Sequence, residues 1–155
     1  MPEITIRVAE ESDLPAVITG YEWLFEPPGS RPPSWDEPSA LLRLSQALTD
    51  DRSTVIVAVT GDGPAGGEVV GFCTAYLDIV SVRFGQRCWV EALATHPRQR
   101  SQGIGTMLLD AACDWAREHG ADHLELDSGD TRLRAHRFYE ARDPSWTSRC
   151  FGWTL

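Results

Sequence analysis

A short loop rich in glycine and arginine carries the clearest chemical signal in this chain. It runs Arg98-Gln99-Arg100-Ser101-Gln102-Gly103-Ile104-Gly105 and joins a strand-like apolar run to an amphipathic segment. Glycines let the backbone turn tightly and expose its N–H groups, and the first turn of a helix adds unpaired N–H donors. Such a loop suits phosphate, and the guanidinium groups of Arg98 and Arg100 would pair with phosphate oxygens. The alternative is an ordinary tight turn before a helix.

Two well-known phosphate-binding loops do not match this segment. A Walker A loop requires Gly-Lys-Ser/Thr, and the chain contains no lysine. The dinucleotide-binding fingerprint requires a third glycine where Leu108 stands, and it follows the first strand of a βαβ unit, whereas this loop comes late in the chain. The remaining pattern is Arg-x-x-Gly-x-Gly between a strand and a helix.

A single carboxylate interrupts the apolar run Trp89-Val90-Glu91-Ala92-Leu93. A charged side chain on a central strand costs free energy unless it is paired or used, and an apolar strand would desolvate it. Glu91 is therefore the leading candidate for a general base. The structural alternative is an ion pair with an arginine such as Arg87. Weaker candidates, each expected at a strand end or in solvent, are His96, Glu125 and Asp127.

A second motif lies downstream of the loop. The segment His123-Leu124-Glu125-Leu126-Asp127 is predicted to form a strand, and a helix over 132–142 contains Ala135-His136-Arg137-Phe138-Tyr139-Glu140. With Leu93-Ala94-Thr95-His96-Pro97 before the loop, these motifs resemble the GNAT family of N-acetyltransferases, which has a coenzyme A pyrophosphate loop followed by an Ala-x-x-Phe-Tyr helix. Two motifs in the expected order are more specific than either one, and both lie between Trp89 and Tyr139.

The resemblance implies an α/β (α+β) fold, a mixed and mostly antiparallel sheet flanked by helices, in a single domain over residues 1–155. Hydrophobic periodicity predicts strands at 4–8, 54–59, 68–80, 88–95, 123–127 and 147–155, and helices at 13–25, 39–48, 104–120 and 132–142. A proline-rich loop separates the first two helices, and a glycine-rich turn is predicted at 61–67. Periodicity alone indicates only an α/β or α+β domain.

The resemblance also implies direct transfer of an acetyl group from acetyl-CoA to an amine. The fourth and fifth strands would splay, and the pantetheine arm would pair with main-chain groups of Leu93 and Thr95, where a main-chain N–H would meet the developing oxyanion. Glu91 matches a glutamate that deprotonates the amine through water, and Tyr139 matches the tyrosine that protonates the departing thiolate. Core packing is the alternative for Leu93, Phe138 and Tyr139. The predicted cofactor-binding residues are Leu93, Ala94, Thr95, Arg98, Arg100, Ser101, Gln102, Gly103, Ile104, Gly105, Thr106, Arg132 and Phe138.

Two positions depart from the family pattern. Arg132 stands where many members carry an asparagine that touches the cofactor, so a guanidinium contact with phosphate is the alternative there. Asp143-Pro144-Ser145-Trp146 replaces a Gly-Phe pair after the tyrosine helix. We therefore expect an altered turn into the final strand.

The resemblance places the acceptor between the loop after the first helix and the ends of the third and fourth strands. Aromatic rings beside carboxylates suit an organic ammonium, so the expected acceptor is a cationic primary amine of a small molecule or peptide. Trp23 and Phe25 could instead simply fix the first helix. The predicted substrate-binding residues are Trp23, Phe25, Trp35 and Asp78.

Composition limits the possible partners and compartments. The net charge of −9 argues against nucleic acid as a ligand. No apolar run reaches membrane-spanning length, and no signal peptide is recognisable at Met1, so we expect no membrane partner. The four cysteines lack zinc-binding spacing, which predicts buried free thiols, no metal cofactor and a reducing cytoplasm.

Three classes of function remain open on the sequence. An acetyl-CoA-dependent N-acetyltransferase is favoured, and an acyl-CoA-binding regulatory module without turnover is the alternative. A dinucleotide-binding oxidoreductase is weakened by Leu108 and by the late position of the loop. Domains of the GNAT family often form homodimers, but the sequence shows no interface signature.

Overall fold

The computed structural model describes residues 3–61 and 67–155. These residues form one five-stranded sheet in the order β1-β2-β3-β4-β5, in which the first four strands are antiparallel and β5 runs parallel to β4. Four α-helices flank the sheet. The elements are β1 Ile4–Val8, α1 Leu14–Phe25, α2 Glu37–Thr49, β2 Ser53–Thr60, β3 Glu68–Leu77, β4 Arg87–Thr95, α3 Ile104–Glu118, β5 His123–Glu125 and α4 Leu133–Glu140.

The helices divide between the two faces of the sheet. On one face, α1 and α2 cover β2, β3 and the end of β4. On the other face, α3 and α4 pack over the alternate side chains of the same strands. The first core includes Leu14, Val17, Leu44, Val55, Val57, Phe72 and Ala92, and the second includes Ile56, Val70, Cys73, Val90, Ile104, Leu108 and Ala112.

Two glycines let helices approach the sheet closely. A Cβ on Gly20 of α1 would lie 2.9 Å from the Phe72 ring, and one on Gly71 of β3 would lie 3.0 Å from both Ile104 and Leu108. A larger residue at either position would push a helix away from the sheet. Gly20 thereby sets how closely α1, including the following residue Tyr21, approaches the sheet.

Sequence rules account for the start of α2. The Asp36 side chain accepts a hydrogen bond from the Ser39 amide at 3.0 Å and so caps the helix. Pro38 is tolerated in the first turn because the amide it lacks would have no partner within the helix. The prediction of a helix here is confirmed, although α2 begins at Glu37 rather than Ser39.

The strands β4 and β5 diverge, as expected. They pair only over Arg87–Trp89 and His123–Glu125, and the remainder of β4 has no neighbour on that side within the described residues. The predicted antiparallel-rich sheet with flanking helices is confirmed.

The predicted final strand at 147–155 is wrong. Residues 143–155 form neither helix nor strand, and Phe151, Trp153 and Leu155 are exposed. Trp146 instead packs against Phe84 and His123, with ring centroids 6.3 and 5.5 Å apart. An alternating pattern specifies a strand only where a neighbouring edge is free to pair, and β5 offers just three residues.

The ends of two strands and the burial of one cysteine also differ from the predictions. β3 ends at Leu77 rather than residue 80, and β5 ends at Glu125 rather than residue 127. Most of the predicted glycine-rich turn, residues 62–66, lies outside the described residues. Cys73 and Cys88 are buried, but Cys150 is exposed, contrary to the expectation that every thiol is buried.

The described residues contain neither a membrane-spanning helix nor a cluster of metal-binding side chains. None of the helices within 3–61 and 67–155 is long and apolar enough to cross a bilayer. Over the same ranges, no group of three His, Cys, Asp or Glu side chains is placed to hold a metal ion.

Candidate active site

A β-bulge in β4 places Glu91. Thr74 of β3 faces Ala92 and its neighbour Ala75 faces Val90, which leaves Glu91 as an extra residue without a partner on β3. Val90 belongs to the core under α3, whereas Ala92 belongs to the core under α1. The bulge therefore turns Glu91 toward the face covered by α1. In a regular strand Glu91 would lie on the face opposite to that of its neighbour Ala92, under α3.

Two hydroxyl groups hold the Glu91 carboxylate. Thr74 Oγ1 donates to Oε2 of Glu91 over 2.6 Å, and the Tyr21 hydroxyl of α1 donates to the same oxygen over 3.0 Å. Within the described residues Oε1 receives no hydrogen bond, so this oxygen is free to accept a proton or a ligand N–H. Glu91 is exposed, which corrects the expectation that an apolar strand would desolvate it.

The ion pair expected as the structural alternative for Glu91 does not form. Arg87 donates to Glu125 Oε2 over 2.8 Å and also pairs with Asp78. The hydrogen bond from Arg87 lowers the pKa of the Asp78 carboxyl and fixes Asp78 to β4. Glu125, a weaker candidate for the base, is likewise bound to an arginine.

A cavity of about 340 Å³ opens in front of Glu91. It lies between α1, α2 and the adjoining parts of β2, β3 and β4, and three aromatic side chains line it. The lining residues are Tyr21, Trp35, Ala40, Arg43, Leu44, Ala47, Ser53, Thr54, Thr74, Ala75, Tyr76 and Glu91. A cavity of this size lies at the small end of the range for small-molecule sites.

Of the four predicted substrate-binding residues, Trp35 lines this cavity. Phe25 packs edge-on against the Trp35 ring with centroids 4.8 Å apart. Trp23 packs against Phe72 and His96 and borders a different depression. Asp78 is paired with Arg87. The four predicted substrate-binding residues therefore do not surround a single cavity.

Tyr21, Arg43, Thr74 and Tyr76 are among the cavity-lining residues that were not predicted from the sequence. From the sequence, Tyr21 is predicted only to lie in the helix at 13–25. A signal was available for Thr74, since a hydroxyl inside a strand as apolar as β3 must find a hydrogen-bond partner. The Trp35 indole N–H is buried without a partner among the described residues, so one donor in this wall stays unsatisfied.

Burial keeps the Tyr21 phenol protonated. Desolvation raises the pKa of Tyr21 well above its ordinary value, and the negative charge of Glu91 raises it further. The ring packs 4.9 Å from Phe72 and 5.3 Å from Trp35, measured between centroids. Tyr21 therefore acts as a fixed hydrogen-bond donor toward Glu91.

The glycine loop has the geometry of an anion site. Gly103 caps α3 with φ +81°, and Ser101 also takes a positive φ of 67°. No side chain caps α3, so its first-turn amides have no side-chain partner and lie at the positive end of the helix dipole. Arg98 and Arg100 form no ion pair within the described ranges and stay available to a phosphate group.

The loop is fixed against α4. Arg134 donates to the Ser101 hydroxyl over 2.8 Å. A Cβ on Gly105 would lie 3.4 Å from the Phe138 ring, so Gly105 marks a contact between α3 and α4. Phe138 packs under the loop through this contact.

The diverging part of β4 presents unpaired main-chain groups. The His96 N–H donates to the Val70 carbonyl over 2.8 Å. Hydrogen-bonded positions alternate along an antiparallel ladder, so the groups of Ala94 also face β3, and those of Leu93 and Thr95 face the gap beside β5. An extended ligand in this gap could pair with Leu93 and Thr95 as another strand would.

Tyr139 lies on α4 and packs into the core under α3. Its ring lies 5.2 Å from that of Phe138, and burial raises the pKa of Tyr139 to about 12. Its hydroxyl has no hydrogen-bond partner within the described residues. A protonated phenol with a free donor suits a developing negative charge.

Arg132 does not face the glycine loop, where it was expected to contact a phosphate group. Its guanidinium donates to the Leu24 carbonyl at the end of α1 over 2.9 Å, beside Gly29. The side chain therefore ties the start of α4 to the loop after α1.

Comparisons with known proteins fit this arrangement. A family model described as the acetyltransferase (GNAT) family matches residues 17–143. The uncharacterized N-acetyltransferase YhdJ of Bacillus subtilis is 48% identical over 60 residues, which cover 39% of this chain and 42% of YhdJ. An aminoglycoside N(6')-acetyltransferase type 1 of Stenotrophomonas maltophilia is 31% identical over 112 residues, 70% of this chain and 69% of that protein.

A solved structure shares the whole fold. The aminoglycoside N-acetyltransferase AAC(6')-Iy in complex with CoA superposes with a TM-score of 0.83 at 16% identity, covering 100% of this chain and 96% of that one. The matched segment spans less than half of YhdJ, at 42% of its length.

Proposed function

This chain belongs to the acetyltransferase (GNAT) family, and we propose that it transfers an acetyl group from acetyl-CoA to a primary amine of a small molecule or peptide. The observation that carries the proposal is the Glu91 carboxylate. It lies at the bulge of β4, bordering the cavity, and is held by Tyr21 and Thr74. A few residues further, the same strand presents unpaired main-chain groups to the gap beside β5.

The residues around the glycine loop fit coenzyme A. The uncapped amides at the start of α3, with Arg98 and Arg100, would bind its diphosphate. Leu93 and Thr95 would pair with its pantetheine amides through main-chain groups. These contacts use backbone geometry and positive charge, both present at this end of the molecule.

When bound, acetyl-CoA supplies an acetyl group on a thioester. The amine nitrogen forms a bond to the acetyl carbon while the carbon–sulfur bond breaks, and the electron pair of that bond leaves with sulfur. The ammonium form of the acceptor loses one proton to Glu91 before the attack, directly or through water, and the nitrogen loses a second proton to solvent as the amide forms. Tyr139 donates a proton to the sulfur and regains one from solvent.

The two proposed proton-transfer groups lie on opposite faces of the sheet. Glu91 faces α1 and borders the cavity, whereas Tyr139 packs into the core under α3. Since β4 and β5 separate after Trp89, the sheet is open between them, and reacting groups from both faces could meet there. Positioning of this kind is a large part of catalysis without a covalent enzyme intermediate.

The acceptor is proposed to enter as an ammonium ion. Aromatic rings of Tyr21, Trp35 and Tyr76 line the cavity with the Glu91 carboxylate, and such a lining stabilises an organic cation. We extend the proposal to a homodimer, supported by the exposed apolar side chains of Phe151 and Trp153. The four free cysteines support a cytoplasmic location.

Thiol release from acetyl-CoA, measured against a panel of amines, tests this function, with titration calorimetry of acetyl-CoA in parallel. We expect binding of acetyl-CoA together with amine-dependent release of CoA. Binding without turnover on any amine would contradict the proposal and favour an acyl-CoA-binding regulatory module. Preferential binding of NAD would indicate a dinucleotide-binding protein.

A further inference from the structure

The cavity in front of Glu91 contains one acidic and one basic side chain. Among the described residues that line it, only Glu91 and Arg43 carry charge. Arg43 lies on the exposed side of α2, and its guanidinium forms no hydrogen bond or ion pair within residues 3–61 and 67–155. An unpaired guanidinium at the edge of a ligand cavity is a ready partner for an anion.

Other charged groups near the cavity are already engaged. Arg52 donates to the carbonyls of Leu77 and Asp78 over 3.3 and 3.0 Å. Arg87 pairs with Asp78 and Glu125. Asp36, the carboxylate that acts on Arg43 at longer range, accepts hydrogen bonds from Ser39 as the cap of α2.

We infer that the acceptor is a small zwitterionic amine, whose ammonium group binds at Glu91 and whose carboxylate or phosphonate group binds at Arg43. The inference rests on the proposed acetyl transfer and narrows its substrate. Carboxylates and phosphonates share the paired acceptor oxygens that a guanidinium binds with two parallel hydrogen bonds. Glu91 and Arg43 both line one cavity of about 340 Å³, which has room for a short molecule.

The same charges disfavour a polycation. A polyamine or an aminoglycoside carries several ammonium groups, and this cavity offers one carboxylate, Glu91, together with a guanidinium that repels the remaining ammonium groups. Repulsion of this kind is an effective source of specificity. Arg43 is therefore proposed as the residue that selects the acceptor class.

Four amines of similar length provide the test. β-Alanine, 2-aminoethylphosphonate and β-alaninamide each have two methylene groups between the amine and the second polar group, and 1,3-diaminopropane has three between its two amines. Initial rates of thiol release give kcat/KM for each at saturating acetyl-CoA. We expect about tenfold or higher kcat/KM for one or both anionic amines than for the amide, since a charged hydrogen-bonded contact is worth at least that factor. The preferred anion identifies carboxylate or phosphonate as the recognised group.

Two variants assign the preference to Arg43. Arg43→Gln should reduce the ratio between anionic amine and amide to about two or less, and Arg43→Glu should shift the preference to the diamine. Arg117→Gln, at an exposed arginine on α3 that pairs with Asp114, serves as the matched control and should keep the wild-type ratio.

Wild-type kcat/KM that is equal for the amide and the anionic amines, or higher for the diamine, would overturn the inference while leaving acetyl transfer intact. An anionic preference that survives Arg43→Glu would overturn the role of Arg43. Absence of turnover with every amine would overturn the proposed function itself, and the inference with it.

Discussion

The Tyr21 hydroxyl donates to Oε2 of Glu91 over 3.0 Å and joins α1 to the bulge of β4 across a separation of 70 residues. Thr74 donates to the same oxygen, so both hydrogen bonds fix one side of the carboxylate. The other oxygen is left for the substrate. The contact links the helix packing set by Gly20 to the orientation of the proposed base.

Tyr21→Phe should lower kcat about tenfold because it removes a hydrogen bond to a charged group while keeping the ring in place. The affinity for acetyl-CoA, measured by calorimetry, should stay unchanged. Thr74→Val should have a similar effect, and the double variant should cost less than the sum of both, since the two donors share one acceptor. Strict additivity of the two changes, or unchanged kcat in Tyr21→Phe, would contradict a positioning role.

Tyr139→Phe should lower kcat by about 100-fold at neutral pH while leaving the dissociation constant of acetyl-CoA within about twofold. Burial raises the pKa of the phenol to about 12, so wild-type Tyr139 is protonated throughout the neutral range. Stopped-flow or steady-state thiol release measures kcat. Wild-type turnover in this variant would remove Tyr139 from the mechanism.

The same pKa predicts a difference in alkaline stability. Because the pKa of Tyr139 rises from an ordinary 10.0 to about 12 on folding, the folded state holds its proton more tightly than the unfolded state does. The stabilisation is complete below pH 10 and is lost as the pH rises through 12. Urea unfolding should therefore show a smaller loss of stability between these pH values for Tyr139→Phe than for the wild type. An equal loss of stability with pH in the two proteins would contradict the raised pKa of Tyr139.

Gly103→Ala should weaken acetyl-CoA binding and destabilise the fold by about 1 kcal/mol, since alanine is strained at positive φ. The glycine has φ +81° at the start of α3 and open space around its Cβ position, so conformation rather than crowding carries the effect. Gly152→Ala is the matched control, because that glycine also has open space but no positive φ. Calorimetry and thermal unfolding compare the two variants. Equal behaviour would mean that the turn tolerates another residue.

Asp13→Asn should destabilise the fold by about 1 to 3 kcal/mol at neutral pH. Asp13 accepts two hydrogen bonds from Arg7, which lower the pKa of its carboxyl below the ordinary 3.8. A lowered pKa contributes stability above pH 3.8 that is lost as the pH falls through the folded-state value. Urea unfolding at pH 7 and in strong acid should show the difference between the two proteins shrinking in acid. A difference that is constant with pH would contradict this source of stability.

Local signals made much of the fold predictable. Gly103 and the apolar stripe after it mark the turn and α3. The predicted helix at 39–48 leaves out the cap at Asp36 and the proline at Pro38, two local signals that give the true start of α2. These features act within one or two turns of the chain, so they can be read from neighbouring residues. The prediction of a final strand at 147–155 was wrong for the opposite reason, because a strand there would need a free edge of the sheet formed by distant residues.

The candidate site was harder to predict because it depends on contacts between distant segments. Glu91 stands out in an apolar run, but the bulge that turns it toward α1 depends on pairing with β3. Tyr21 has the spacing of a core residue, and only the packed structure shows its hydroxyl against a carboxylate. Arg43 stands between Leu42 and Leu44 on the exposed side of α2, and only the folded structure shows that it borders the cavity.

Replacement of Glu91 by glutamine tests the central claim most directly, with Glu118→Gln at the exposed end of α3 as the matched control. Both variants are compared with the wild type by thiol release at saturating acetyl-CoA and amine, from neutral to alkaline pH. The proposed role as base predicts a fall in kcat of about 100-fold or more for Glu91→Gln near neutrality, which recedes at alkaline pH as free amine becomes abundant. Wild-type kcat in Glu91→Gln at neutral pH would contradict it.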